Sequence, residues 1–113
     1  MPSEENGRDV FLALCTAPVE EAESLARRLL EARLIACVNL LGPGRSLFWW
    51  QGEIDCQEEV LMVMKTTRSA LTELRERLQE WHSYELPELL VFAVDSGSPA
   101  YLSWVATQVG GEE

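Results

Sequence analysis

Cys37 and His82 are the side chains in this sequence best suited to hold a soft or borderline metal ion, with Cys15, Glu59 and Glu85 as further donors. None stands at a metal-motif spacing. Cys15, Cys37 and Cys56 are odd in number and contain no Cys-x-x-Cys pair, so neither a disulfide framework nor a zinc-finger pattern is present and reduced thiols are expected. Cys15 and Cys37 also lie in apolar stretches, where a free cysteine serves as a small core residue. Cys56, beside Gln57 and Glu58, is expected to be exposed in a polar hairpin turn. His82 follows a helical pattern, where a partly positive ring would complement the C-terminal end of the helix dipole.

Lys65 is the sharper anomaly. It falls on the same strand face as Leu61 and Val63, and a half-buried ammonium group needs a partner. An ion pair with another subunit, a snorkelling position at the sheet margin, or an anionic ligand would each supply one. His82, Glu85 and Lys65 could move protons, but no nucleophile motif, phosphate loop or paired-carboxylate pattern accompanies them, so no enzymatic activity is expected.

The 113 residues are 47% hydrophobic and 25% charged, which suits one soluble domain, placed at residues 9–109 with flexible tails at 1–8 and 110–113. Nine bases against nineteen acids give a net charge of −10, which repels phosphate backbones and anionic lipid. Nucleic acid and membrane are therefore not expected as partners, whereas divalent cations and basic partners are electrostatically suited. The amino terminus lacks the basic start of a secretory signal, and no apolar run approaches the roughly 20 residues of a membrane span. A cytoplasmic protein is expected.

These side chains must be positioned by a short series of elements. Residues 9–16 are apolar on both faces and read as a central strand; Pro18 suits a first helical turn, and Ala22, Leu25, Ala26, Leu29 and Leu30 form one helical stripe. Residues 35–41 continue through Gly42-Pro43-Gly44 into a long interrupted strand, residues 51–55 turn, and residues 59–67 return as a third strand. Ser69 is a candidate N-cap for a helix carrying Leu71, Leu74, Leu78 and Trp81. Residues 89–94 form a fourth strand, and Ser98-Pro99 opens a last helix ended by Gly110-Gly111. The order βαββαβ plus a terminal helix is that of an α+β, ferredoxin-like sandwich.

In such a sandwich helices cover one sheet face only. Leu47 and Trp49 point to one side of the second strand, Phe48 and Trp50 to the other, so both sides need cover. A second copy of the chain is the expected source, with Phe48, Trp49 and Trp50 as interface residues and Trp49 and Trp50 dividing their burial between the chain's own core and its neighbour.

Five segments carry a resemblance to a known family: Ala36-Cys-Val-Asn39, Ser46-Leu-Phe-Trp-Trp-Gln-Gly-Glu53, Glu59-Val-Leu-Met-Val-Met-Lys65-Thr-Thr-Arg68, His82-Ser-Tyr-Glu-Leu-Pro-Glu88 and Tyr101-Leu-Ser-Trp104. In order and spacing they resemble the CutA family of divalent-cation tolerance proteins, over nearly the whole chain from Val10. The resemblance implies a homotrimer whose long hairpins cross subunit boundaries, and a part in the response to divalent metals. Copper, or another divalent metal, is the implied ligand, with Cys37 and His82 as its candidate donors. It also implies an intersubunit cleft lined by Trp50, Glu59, Lys65, Tyr84 and Glu85 beside Cys37. The trimer resembles the PII nitrogen-signalling proteins in architecture, which gives the alternative of a small-molecule sensor or protein-interaction scaffold using those clefts.

Overall fold

The long hairpin dominates the shape of the molecule. The computed structural model describes residues 9–110, with extents of 50 × 26 × 22 Å. Its elements are β1 (Val10–Pro18), α1 (Ala22–Glu31), β2 (Cys37–Trp50), β3 (Glu53–Thr67), a 3-10 turn (Arg68–Ala70), α2 (Leu71–Trp81), β4 (Leu90–Ala93) and α3 (Pro99–Gln108). The expected tails at residues 1–8 and 111–113 lie outside the described residues. Gly110 is described: it takes φ +70°, and its N–H donates to the Arg33 carbonyl at 2.8 Å.

The four strands form one antiparallel sheet in the order β2-β3-β1-β4. Alternation along β1 and β3 sends Ala13, Cys15 and Ala17, with Val60, Met62 and Met64, to one face, and all six are buried. The apolar stripes of the two sheet-covering helices supply the opposing layer: Ala22, Leu25, Ala26 and Leu29 from α1, Leu74 and Leu78 from α2. Each fully buried leucine there contributes about 1.5–3 kcal/mol relative to exposure.

The other face carries Leu12, Leu14, Leu61 and Val63 half-buried, and Leu90 and Phe92 at 52% and 50% exposure. Most of it has no cover from the described residues. The same holds for the hairpin end, because β1 stops pairing at Pro18 opposite Glu59 while β2 and β3 continue through Gly44–Trp50 and Glu53–Glu58. Roughly 20 Å of two-stranded ribbon therefore overhangs the sheet. Trp49 pairs with Ile54 across the ribbon, and the two are 72% and 65% exposed. Trp50, at 38%, is not in the core either. The expected sharing of tryptophan burial with the chain's own core is corrected: the ribbon has no core of its own beneath it.

Local chemistry moved several boundaries. Pro18 ends β1 instead of opening α1; a strand end is a place where its missing N–H breaks no ladder bond. The hairpin turn is Gln51-Gly52 alone, with φ +53° and +84°, the paired left-handed conformations of a type I′ turn. Asp55 and Cys56 consequently belong to β3, with the exposed Cys56 opposite Leu47. Ser69 caps nothing: it lies inside the 3-10 turn, and its hydroxyl meets that of Thr67 at 3.1 Å. Between Leu41 and Gly44 the register shifts, so that Gly42 and Pro43 oppose the single residue Val60. Gly42 takes φ +120° there, and a Cβ on it would stand 2.8 Å from the Gly44 nitrogen.

Candidate functional site

Position along β3 separates the candidate residues into three groups. Trp50 pairs with Glu53 at the ribbon tip, Glu59 stands six residues further on, and Lys65 opposes Cys37 another six residues beyond. Each step spans about 20 Å. Within one chain, Trp50, the Glu59–Tyr84 pair and the Lys65–Cys37 pair therefore form no single cleft.

The middle group is built by the loop after α2. Once that helix ends at Trp81, His82 turns to an extended conformation and buries its ring completely. Its Nε2 lies 2.8 Å from the Thr16 carbonyl, and its Nδ1 accepts the Tyr84 N–H at 3.0 Å. With Nδ1 accepting, Nε2 is the nitrogen placed to donate to the Thr16 carbonyl. The Tyr84 hydroxyl then donates to Glu59 Oε2 at 2.6 Å, and the Ser83 N–H donates to Glu21 Oε2 at 3.1 Å. Glu59 is only 6% exposed. Its charge acts on Tyr84, Cys15 and Glu88, and that of Glu21 on Tyr84 and Cys15. Burial, the hydrogen bond to Glu59, and the charges of Glu59, Glu21 and Glu20 hold the Tyr84 hydroxyl well above the ordinary phenol range. Burial and the Glu59 charge likewise raise Glu88 above the usual carboxylate range.

Cys15 belongs to this group, and Cys37 does not. The Cys15 thiol donates to the same Thr16 carbonyl, at 3.4 Å, that takes the His82 bond. Burial, followed by the charges of Glu88, Glu59 and Glu21, pushes its pKa up to about 12, so it is a protonated thiol at neutral pH. Cys37 stands opposite Lys65, which itself faces Leu12, about 13 Å down the strand direction from Thr16. Cys37 and His82 of one chain thus do not meet, because His82 packs against the far end of β1. Among the described residues no group of three or more His, Cys, Asp or Glu side chains converges as metal ligands. Both ring nitrogens of His82 are also engaged, so the described residues of one chain offer no preformed copper centre.

Glu85 is exposed, and its backbone carbonyl accepts from the Gln79 side-chain amide at 3.3 Å. At the opposite end of the sheet, the half-buried Lys65 donates to the Asn39 side-chain oxygen. Cys37 Sγ lies 3.6 Å from the Tyr101 hydroxyl, and the Tyr101 and Trp104 rings are 5.6 Å apart. Hydrogen bonding to Cys37, then burial, raises the Tyr101 pKa. Sequence reasoning placed Lys65 and Cys37 near one another but missed Asn39, Tyr101 and Trp104 as their neighbours. A strand register was the signal for Asn39; nothing local signalled the approach of α3. Glu21 and Glu88 were missed in the same way.

An antiparallel sheet in this order, with two helices on one face and charged groups at both ends of the other, defines a ferredoxin-like α+β protein. A family model described as the CutA1 divalent ion tolerance protein matches residues 11–108. The chain is 45% identical over 98 residues to the divalent-cation tolerance protein CutA of Pectobacterium atrosepticum, covering 86% of this chain and 89% of that one. It also superposes on the divalent cation tolerance protein Cut A1 of Thermus thermophilus, with TM-score 0.86, 36% identity, and coverage of 89% and 99%. The structure of the CutA of Archaeoglobus fulgidus, described as a periplasmic divalent cation tolerance protein, gives TM-score 0.83 at 37% identity, with coverage of 88% and 97%. The chain belongs to the CutA family of divalent-cation tolerance proteins.

Proposed function

We propose that this protein acts as a homotrimer in the cell's response to divalent metal ions, in the cytoplasm and without catalysing a reaction. The observation that carries the assembly is the overhanging ribbon, with Leu47, Trp49 and Ile54 each exposed by 65% or more, together with the half-covered apolar sheet face. Surfaces of this kind on a small domain are interaction surfaces. Membership of the divalent-cation tolerance family supports the metal role. The cytoplasmic location rests on three free thiols. The periplasmic description of the Archaeoglobus relative makes cell fractionation the check on that point.

Copper is the first metal to test, at Cys37 and His82. Because these donors are separated within a chain, such a site would draw them from different subunits and would displace an existing hydrogen bond of His82. The test is titration of reduced protein with Cu(I) and Cu(II), beside a Cys37→Ser, His82→Gln variant whose folding is verified by circular dichroism. The proposal expects saturable binding that the variant loses. Unchanged affinity in the folded variant overturns this ligand set.

A second reading, a small-molecule sensor or scaffold, is favoured by one observation. Lys65 is half-buried and has an amide oxygen, but no carboxylate, as its partner among the described residues.

A further inference from the structure

We infer that the Ser83-Tyr84 segment is a lid over the His82 ring, latched by α1 through Glu21 and Arg28, and that His82 meets a ligand only when this latch opens. The inference rests on the proposed use of His82 as a metal donor and deepens it, since it states what controls access to that donor. The latch is made within one chain and needs no exposed site.

The lid is the stretch of chain that follows α2. The His82 side chain has no exposed surface, although Trp81 before it is only half-buried and Ser83 after it is exposed. Part of the cover is the Tyr84 ring, which lies 4.7 Å from the imidazole and is inclined by 49°. With Nε2 placed to donate to Thr16, the Nδ1 lone pair is the ring position that could take a metal without first losing a proton. It is occupied by the Tyr84 N–H at 3.0 Å. A ligand reaches that nitrogen only if residue 84 moves away.

Helix α1 holds this stretch from one of its faces. Glu21, at the N-terminal end, accepts the Ser83 N–H at 3.1 Å and stands 3.9 Å from His82 Nδ1. Arg28, seven residues and so nearly two turns further on, returns to the same face. Its guanidinium lies 4.0 Å over the Trp81 ring, a cation–π contact that joins α1 to α2. Trp81 is the last residue of α2, and the His82 N–H still donates to the Leu78 carbonyl at 2.9 Å. Fixing Trp81 therefore fixes the point from which the lid departs, while the Tyr84 hydroxyl ties the other end to Glu59. Arg28 acts on His82 through Trp81, as a positioning residue.

The test exploits the single histidine of the sequence. Diethyl pyrocarbonate acylates the imidazole when the ring is released, so its rate on the full-length protein, with the product located by peptide mass mapping, reports lid opening. Hydrogen exchange at the Tyr84 amide reports it independently. Arg28→Met keeps the aliphatic stem and drops the charge; it should raise both rates by about two- to fivefold, the change in an opening equilibrium on losing an exposed cation–π contact. Arg28→Lys, a cation without the flat stacking surface, should fall between. Arg27→Met removes the neighbouring cation, which pairs with Glu23 at 2.9 Å, and should leave both rates unchanged. Urea unfolding of each variant separates a latch from a staple: an Arg28→Met protein that loses stability while both rates stay where they were overturns the inference. An equal rise in Arg27→Met overturns it too, since surface charge would then be the cause. Copper titration distinguishes the latch from the metal reading. With His82 as donor, Arg28→Met binds copper tighter by the same factor, because more of the protein is open to it. Faster acylation at unchanged copper affinity overturns His82 as the donor and supports the latch; unchanged rates overturn the latch whatever copper does.

Discussion

The Tyr84 hydroxyl donates a 2.6 Å hydrogen bond to Glu59 Oε2, and that carboxylate, 6% exposed, has no cationic partner among the described residues. A buried carboxylate without a counter-charge depends on its hydrogen bonds for compensation. Tyr84 thus joins the loop after α2 to the middle of the longest strand.

Tyr84→Phe removes that donor while keeping the ring. It is expected to destabilise the fold by about 1–3 kcal/mol, the cost of leaving a buried charged acceptor short of a partner. Urea unfolding at one fixed protein concentration measures the difference. Superimposable curves for the two proteins would show that Glu59 is compensated some other way.

Glu88 should make stability depend on pH in an unusual direction for a carboxylate. Its folded pKa is raised, by burial and then by the Glu59 charge, so the folded state favours the protonated form. The contribution is fully present below the unfolded carboxylate pKa and is lost as pH rises through the folded value. Glu88→Gln, which mimics the protonated group, should therefore stabilise the protein at pH 7 and have little effect near pH 4. Thermal midpoints of both proteins across that range check the sign; a larger benefit at pH 4 would contradict it.

The three cysteines should react in order of access and ionisation. Cys56 is exposed, Cys37 is partly exposed, and Cys15 is buried with its thiol pushed up to about 12. Alkylation with iodoacetamide at pH 8, followed by peptide mass mapping, should label Cys56 first and Cys15 only on unfolding. Early labelling of Cys15 in native protein would mean that the group around Thr16 opens readily.

Gln51 holds φ +53° in a turn whose two central positions both require the left-handed conformation. Gln51→Asn should stabilise the hairpin by about 0.5–1 kcal/mol, since asparagine tolerates that conformation better. The thermal midpoint reports it, and a fall would place some other contact at the turn.

Much of the fold was legible because burial imposes period. The two-faced residues of β1 and β3 and the stripes of α1 and α2 gave the βαββαβ order and the ferredoxin-like class directly. Boundaries failed where a short-range cue had two uses: Pro18 fits a strand end as well as a helix start, and Ser69 fits a 3-10 turn as well as a cap. The candidate site was only partly legible. Lys65 stood out as a charge in an apolar strand, yet its distance from Glu59 and Tyr84 follows from register, which single segments do not encode. Cys15 was among the possible donors, but its sharing of the Thr16 carbonyl with His82 depends on where a loop 66 residues later returns. The approach of Tyr101 to Cys37 is likewise a product of packing between distant elements.

Trp49, 72% exposed on a ribbon that no other part of the described chain covers, carries the central claim that copies of this chain cover one another. Native mass spectrometry over a micromolar concentration series, on the natural protein and on Trp49→Lys, tests it most directly. The account predicts a trimer for the natural protein and a shift towards monomer for the variant, whose unchanged circular dichroism would show an intact subunit fold. A natural protein that remains monomeric at micromolar concentration, or a Trp49→Lys trimer as stable as the original, would contradict it.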